Sequence, residues 1–93
     1  MATYSVNRAK HATLVAATVD TVNLSYSGSV VRVKNRGTVG DIYCTVDGTT
    51  PVSGADEHYF LAPGENIVID NAGGIGVVKL ISSGTPAYSV EKY

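Results

Sequence analysis

Apolar and polar side chains alternate most clearly at residues 41–47, with the sequence DIYCTVD. A period of two is typical of a β-strand that buries one face. Residues 29–35, SVVRVKN, alternate in the same way and come just before it. The loop between the two runs contains Gly37 and Gly40, and glycine suits the tight turn of a hairpin. We therefore predict that the two runs form an antiparallel hairpin.

The two faces of this hairpin differ in chemistry. The predicted inner face is apolar and consists of Val31, Val33, Ile42, Cys44 and Val46. The predicted outer face is basic and hydroxylated and consists of Arg32, Lys34, Tyr43 and Thr45. Because neighbouring strands place facing residues side by side, the hairpin predicts one continuous outer surface. We take this surface as the candidate docking surface.

The rest of the chain repeats this rhythm of short apolar runs and turns. Further strands are predicted at residues 11–16, 19–24, 58–61, 66–70, 75–82 and 87–92. Ala and Leu would also permit a helix at residues 11–18, but the density of β-branched residues favours a strand. Turn signals recur about every 8–12 residues, which is typical of sandwiches and small barrels. We predict an all-β fold: a small antiparallel β-sandwich of seven to eight strands, either immunoglobulin-like or jelly-roll-like.

Two regions stand out within this pattern. Residues 75–82, IGVVKLIS, are apolar on both faces apart from Lys79 and predict a central strand covered on both sides. Residues 1–10 are polar and mixed, with Tyr4 and Val6 at alternate positions. They predict an extended N-terminal arm that is either disordered or ordered against a neighbour. A single domain at residues 11–93 then follows.

Composition narrows the class of partner. Charged residues make up only 16% of the 93 residues and the net charge is −1, so much of the exterior must be neutral and hydroxyl-rich. Such an exterior suits a protein that docks on another protein, and equally a plain β-domain. Basic residues cluster only in two short groups: Arg8 and Lys10, then Arg32, Lys34 and Arg36. Nucleic-acid binding needs a larger basic cluster and is not predicted.

Cellular context follows from three further features. The single cysteine, Cys44, excludes an intramolecular disulfide. No apolar run approaches the roughly 20 residues that a membrane-spanning helix needs. The first ten residues have no apolar core and do not resemble a signal peptide. The sequence predicts a soluble protein made in the cytoplasm, with no membrane partner.

No recognisable catalytic arrangement occurs in the sequence. His11 and His58 have no carboxylate at a catalytic or metal-ligand spacing, and no G-x-S-x-G motif is present. A loop Ca²⁺ site that uses Asp47 or Asp56 is a weaker alternative. We predict a protein that is not an enzyme and has no cofactor and no small-molecule substrate.

Six tyrosines, in a chain without tryptophan, offer contact area. Tyrosine combines a large ring with a polar tip, so it suits both protein interfaces and sugar stacking. Tyr26, predicted in a turn, and Tyr43, on the outer face of the hairpin, are the candidates. The alternative is that these rings only cover neighbouring strands.

Three runs together resemble a known class of protein. They are VRVKNRGTVGDIYCTVDGTTP, then LAPGE, then VVKLISSGTPAYSVE. Their order of strands and turns is similar to that of small β-sandwich structural proteins of tailed bacteriophages, in particular phages of actinobacteria. Some of these proteins decorate the phage head. The resemblance covers about residues 12–91, includes no active-site residues, and leaves Tyr4 and Cys44 unexplained.

The resemblance implies a mechanical function. A decoration protein binds the outer surface of the assembled shell of major capsid protein, clamps neighbouring subunits and is commonly a homotrimer. It assembles in the host cytoplasm and resides on the virion. The candidate interface residues are Tyr4, Arg8, Lys10, Arg32, Lys34, Tyr43 and Thr45. The alternative is a receptor- or carbohydrate-binding module of a tail tip or fibre, with Tyr26, Tyr43 and Tyr59 as stacking residues.

Overall fold

The described part of the chain consists of nine β-strands without a helix. A computed structural model describes residues 2–55, 58–70 and 73–93. The strands are β1 (Thr3–Val6), β2 (Ala9–Thr13), β3 (Asp20–Leu24), β4 (Val31–Asn35), β5 (Ile42–Thr45), β6 (Tyr59–Leu61), β7 (Asn66–Ile69), β8 (Val77–Ile81) and β9 (Ala87–Lys92).

The strands form two sheets that face each other. Sheet A has the order β1-β3-β8-β5-β6, and sheet B has the order β2-β9-β4-β7. Neighbouring strands are antiparallel, except that β1 and β3 run parallel. The prediction of a small all-β sandwich is therefore confirmed.

The core lies between the sheets and contains side chains from both. Its buried hydrophobic residues are Leu14, Val22, Leu24, Val31, Val33, Ile42, Cys44, Leu61, Val78, Leu80, Tyr88 and Val90. Full burial of one such aliphatic side chain stabilises the fold by about 1.5–3 kcal/mol relative to exposure. The inward positions predicted from the alternation at β4 and β5 are among these residues, and Val46 packs against them in a half-buried position.

The predicted hairpin of β4 and β5 is wrong. β4 pairs with β9 and β7 in sheet B, whereas β5 pairs with β8 and β6 in sheet A. Residues 36–41 cross from one sheet to the other. Each of the two strands has one apolar face. That face is buried when the strands lie in opposite sheets across the core, and it is equally buried when they pair within one sheet. Periodicity alone does not distinguish these two arrangements.

The side chain of Asn35 holds this crossover in place. Its Nδ2 donates to the carbonyl oxygens of Gly40 at 2.9 Å and Leu61 at 3.1 Å, and its Oδ1 accepts from the backbone nitrogen of Gly37 at 2.9 Å. Asn35 is fully buried. One amide thus satisfies two backbone groups of the crossing chain and one of β6.

β8 is the central strand of sheet A, as predicted. It is covered on one face only, because Val78 and Leu80 are buried while Val77, Lys79 and Ile81 are half-buried. The expectation that this strand is covered on both sides is therefore wrong. The outer face of sheet A has no layer over it within the described residues.

The N-terminal residues are extended, yet they belong to the sandwich. β1 pairs with β3 along Thr3–Val6, and β2 pairs with β9. Tyr4 and Val6 pack against the core, which explains their alternate spacing. The described residues of the predicted arm therefore pair within the same chain, as two edge strands.

Glycine at position 28 is needed for space. Its backbone is not left-handed, since positive φ among the glycines occurs at Gly40, Gly48, Gly54 and Gly64. A Cβ at Gly28 would lie 2.7 Å from the backbone carbonyl carbon of Tyr93 and 2.7 Å from the Tyr26 ring. The Pro-Gly turn at residues 62–65 has a positive φ at Gly64.

Candidate interaction surfaces

The four residues of the predicted docking surface do not lie on one surface. Arg32 and Lys34 are on the outer face of sheet B, whereas Tyr43 is on the outer face of sheet A. Thr45 is only 5% exposed, and its hydroxyl donates to the carbonyl oxygen of Thr49. The error follows directly from the hairpin prediction, because β4 and β5 are in different sheets.

The outer face of sheet B is mostly polar, and its arginine is paired within the molecule. Arg32 lies between Glu91 and Val68 in register, and its Nε donates to Glu91 Oε1 at 3.1 Å. Such a half-exposed ion pair contributes at most about 1 kcal/mol to stability. It does, however, occupy the guanidinium group, so Arg32 is a poor choice for an intermolecular contact.

A histidine and a serine meet on the same face. His11 Nδ1 lies 2.7 Å from Ser89 Oγ, across the β2–β9 pair. Ser89 is only 3% exposed, so its hydroxyl is closed to a substrate. We interpret the contact as a cross-strand hydrogen bond between the edge strand β2 and its neighbour β9.

The outer face of sheet A carries an apolar row. Phe60, Tyr43 and Ile81 lie opposite one another on β6, β5 and β8, and we call these three residues the apolar row. The rings of Tyr43 and Phe60 meet edge to face, with their centroids 5.2 Å apart. Phe60 is 47% exposed. The row was missed in the sequence because its members come from three separate strands.

The structure brings Tyr4, Arg8 and Lys10 together at one edge of the sandwich. Lys10 Nζ lies 4.2 Å from the centroid of the Tyr4 ring, and Arg8 Cζ lies 4.1 Å from that of Tyr26. These are cation–π distances. The contacts position both cations, and they also cover one face of the Tyr26 ring.

A surface cleft of about 320 Å³ lies at the ends of β5 and β6. It is lined by Cys44, Thr45, Val46, Asp47, Thr49, His58 and Tyr59. The backbone nitrogen of Thr49 donates to Asp47 Oδ1 at 3.0 Å, and this bond lowers the pKa of Asp47 below its ordinary value. The Asp47 side chain therefore presents a carboxylate in the cleft.

Cys44 is one of the residues that line this cleft, and its thiol is unreactive. It is buried, as predicted, and burial raises its pKa to about 12. The group is thus a thiol at neutral pH, and a thiol is a poor nucleophile.

Metal binding gains no support from the described residues. Among them no group of three or more His, Cys, Asp and Glu side chains is placed to hold a metal ion. Asp47 is committed to the turn at Thr49, and Asp56 lies outside the described residues. Within the same part of the chain, no helix is long and apolar enough to cross a membrane.

Comparisons with known proteins add no relative. No protein-family model matches the chain, and neither the curated proteins nor the solved structures give a match.

Proposed function

We propose that this protein is a virion structural protein of a tailed bacteriophage that decorates the head by binding the outer surface of the major capsid shell. The observation that carries the proposal is the apolar row on the open face of sheet A. The outward positions on β1 and β3 are the neutral residues Thr3, Ser5, Thr21 and Asn23, and Lys79 on β8 adds a cation to the same face. The motif resemblance to phage head proteins supplies the class of partner.

The chemistry of this face suits docking on a protein. Aromatic side chains bring large contact areas and dominate the binding energy of many interfaces. Neutral hydroxyl and amide groups around them can form hydrogen bonds, and they cost less to remove from water than charges do. Such a face keeps the protein soluble and still offers an apolar centre.

The sandwich itself suits a mechanical function. Its two sheets are joined through the core and by the hydrogen bond from Tyr88 Oη to Asp20 Oδ2, at 2.9 Å. A domain whose two sheets are held together in this way resists deformation. It can therefore transmit force between the subunits that it contacts. Clamping neighbouring capsid subunits would then raise the barrier to shell rupture.

The test uses phage particles that lack this protein. Purified chain is added to expanded particles, and bound protein is measured after sedimentation. Phe60→Ser removes the most exposed ring of the apolar row, and Val68→Ser is the matched control on sheet B, where Val68 is 51% exposed. We expect Phe60→Ser to weaken binding at least about tenfold, the loss of one hot-spot contact, and Val68→Ser to bind like the natural chain.

Two results would contradict this picture in different ways. Failure of the natural chain to bind the particles would reject the capsid function. Normal binding of both variants would keep the function and reject the apolar row as its surface.

The cleft beside Asp47 favours one second candidate, a carbohydrate-binding module. Tyr59 is 43% exposed and lines the cleft together with a carboxylate and a histidine, a combination that suits hydroxyl-rich ligands. Tyr26 is less suitable because Arg8 covers it, and Tyr43 because Phe60 packs against its ring. A glycan array would report this activity, and Tyr59→Ala should abolish any binding found.

A further inference from the structure

The sandwich has two open edges on opposite sides. β1 and β2 are the end strands of sheets A and B, and only residues 7–8 separate them. β6 and β7 are the end strands at the other side, joined by the Pro-Gly turn at residues 62–65. We call the first pair the N-terminal edge and the second pair the opposite edge. Each end strand has a neighbour on one side only within the described residues.

The two edges differ in charge. Residues 2–13, which include the N-terminal edge, contain Arg8 and Lys10 and no acidic residue. Residues 58–70, which include the opposite edge, contain Glu65 and Asp70 and neither Lys nor Arg. Arg8, Glu65 and Asp70 are exposed. The basic residues Arg8 and Lys10 and the acidic residues Glu65 and Asp70 therefore lie on opposite sides of the molecule, with Lys34 on the neighbouring strand β4 in register with Asn66 beside the acidic edge.

The geometry points to a second copy of this chain as the partner: we propose that the N-terminal edge of one copy docks against the opposite edge of the next. Unpaired strand edges are ready sites for pairing with another chain. In the head-to-tail arrangement, Arg8 and Lys10 of one copy approach Glu65 and Asp70 of the next.

The charges also disfavour a two-fold symmetric contact, in which identical edges of two copies would meet. A two-fold contact would place Arg8 and Lys10 against the same two cations, or Glu65 and Asp70 against the same two carboxylates. Like charges across an interface disfavour the wrong arrangement. A head-to-tail contact closes into a ring or continues as a filament, depending on the rotation between copies. This inference does not rest on the capsid proposal, because it concerns two copies of the purified chain.

The positions of the two cations are already fixed within the chain. Arg8 lies against the Tyr26 ring and Lys10 against the Tyr4 ring. Side chains that are held in place lose less conformational entropy when a partner binds.

Sedimentation equilibrium of the purified chain, over a range of concentration and of salt, is the first test. We expect a mass above the 9.7 kDa of one chain, with association at least tenfold weaker in high salt. A chain that stays at 9.7 kDa at every concentration in low salt would overturn the proposal.

Charge reversal tests which edges are in contact. Arg8→Glu/Lys10→Glu and Glu65→Lys/Asp70→Lys each place like charges at the contact and should each prevent association. An equal mixture of the two double variants should associate again, because their edges are complementary. Lys79→Glu, on the central strand of sheet A, is the matched control and should associate like the natural chain.

Circular dichroism confirms that each variant is folded. The salt dependence is measured on the natural chain, so this test does not depend on the folding of any variant. Association of either double variant at the natural strength, or no recovery in the mixture of two folded variants, would overturn the assignment of the edges. Ile81→Ser, in the apolar row but on the central strand β8, should leave self-association unchanged, which separates this contact from capsid docking.

Discussion

Asn35 shows how one side chain decides a connection between sheets. Position 35 pairs with Tyr88 on β9, and its side chain also reaches Gly37, Gly40 and Leu61. An amide is the group that fits, because it offers two donors and an acceptor on one short side chain. From the sequence, Asn35 was only the last residue of a predicted strand.

Replacing Asn35 by aspartate tests this role with almost no change of shape. The new carboxylate has no donor for the carbonyl oxygens of Gly40 and Leu61, and it is buried against them. We expect Asn35→Asp to lower the free energy of unfolding by about 3 kcal/mol or more, as for a buried polar group that loses its partners. Denaturant unfolding measures this change.

Asn66→Asp is the control, since Asn66 is exposed on the edge strand β7. Its stability should change by less than about 0.5 kcal/mol. Equal effects of the two substitutions would contradict the role assigned to Asn35.

At the scale of the element, β1 shows that a polar run can still be a strand of the fold. Only Tyr4 and Val6 face inward, while Thr3 and Ser5 face solvent. Its parallel pairing with β3 depends on residues about 18 positions away in sequence. A period-two pattern of four residues is too short to indicate such a distant partner.

Substitutions in β1 distinguish a strand of the fold from a free arm. Tyr4→Ala/Val6→Ala removes two half-buried side chains and should lower the free energy of unfolding by about 2 kcal/mol, roughly half the value for full burial of both. Thermal unfolding measures the loss. Thr3→Ala/Ser5→Ala is the matched control and should cost much less; a free arm would make both pairs neutral.

At the scale of the whole molecule, the pair of Tyr88 and Asp20 connects the two sheets. Tyr88 is on β9 of sheet B and Asp20 is on β3 of sheet A, and both are buried. Burial, followed by the hydrogen bond to Asp20, raises the pKa of Tyr88 above its ordinary value. The stability of the sandwich therefore depends on pH in the alkaline range.

The sign of this dependence follows from the raised pKa. Below about pH 10 the tyrosine is protonated in both states and its contribution is complete. Above pH 10 the unfolded state releases the proton while the folded state keeps it, so the free energy of unfolding falls by about 1.4 kcal/mol per pH unit. We expect Tyr88→Phe to cost about 2 kcal/mol at neutral pH and to flatten the fall above pH 10.

Denaturant unfolding at a series of pH values measures this change. Tyr93→Phe is the control, because Tyr93 is 54% exposed and should change neither quantity. Parallel pH curves for Tyr88→Phe and the natural chain would contradict the role assigned to this pair.

The sequence by itself determined the fold class and most of the inward positions. Period-two runs separated by glycine and proline turns require strands, and their apolar faces must be buried against each other. That is why Val31, Val33, Ile42 and Cys44 were placed in the core correctly. The same logic identified β8 as central, because it is the longest run of apolar residues.

Only the tertiary structure decided which strands are neighbours, and therefore which residues share a surface. A strand's own sequence fixes its two faces, but its partners depend on pairing across the whole chain. Arg32 and Tyr43, which were predicted to share a surface, lie on different sheets. Phe60 and Ile81, which are distant in sequence, lie next to Tyr43 in the apolar row. The candidate surfaces are products of strand order, and strand order is a property of the complete core.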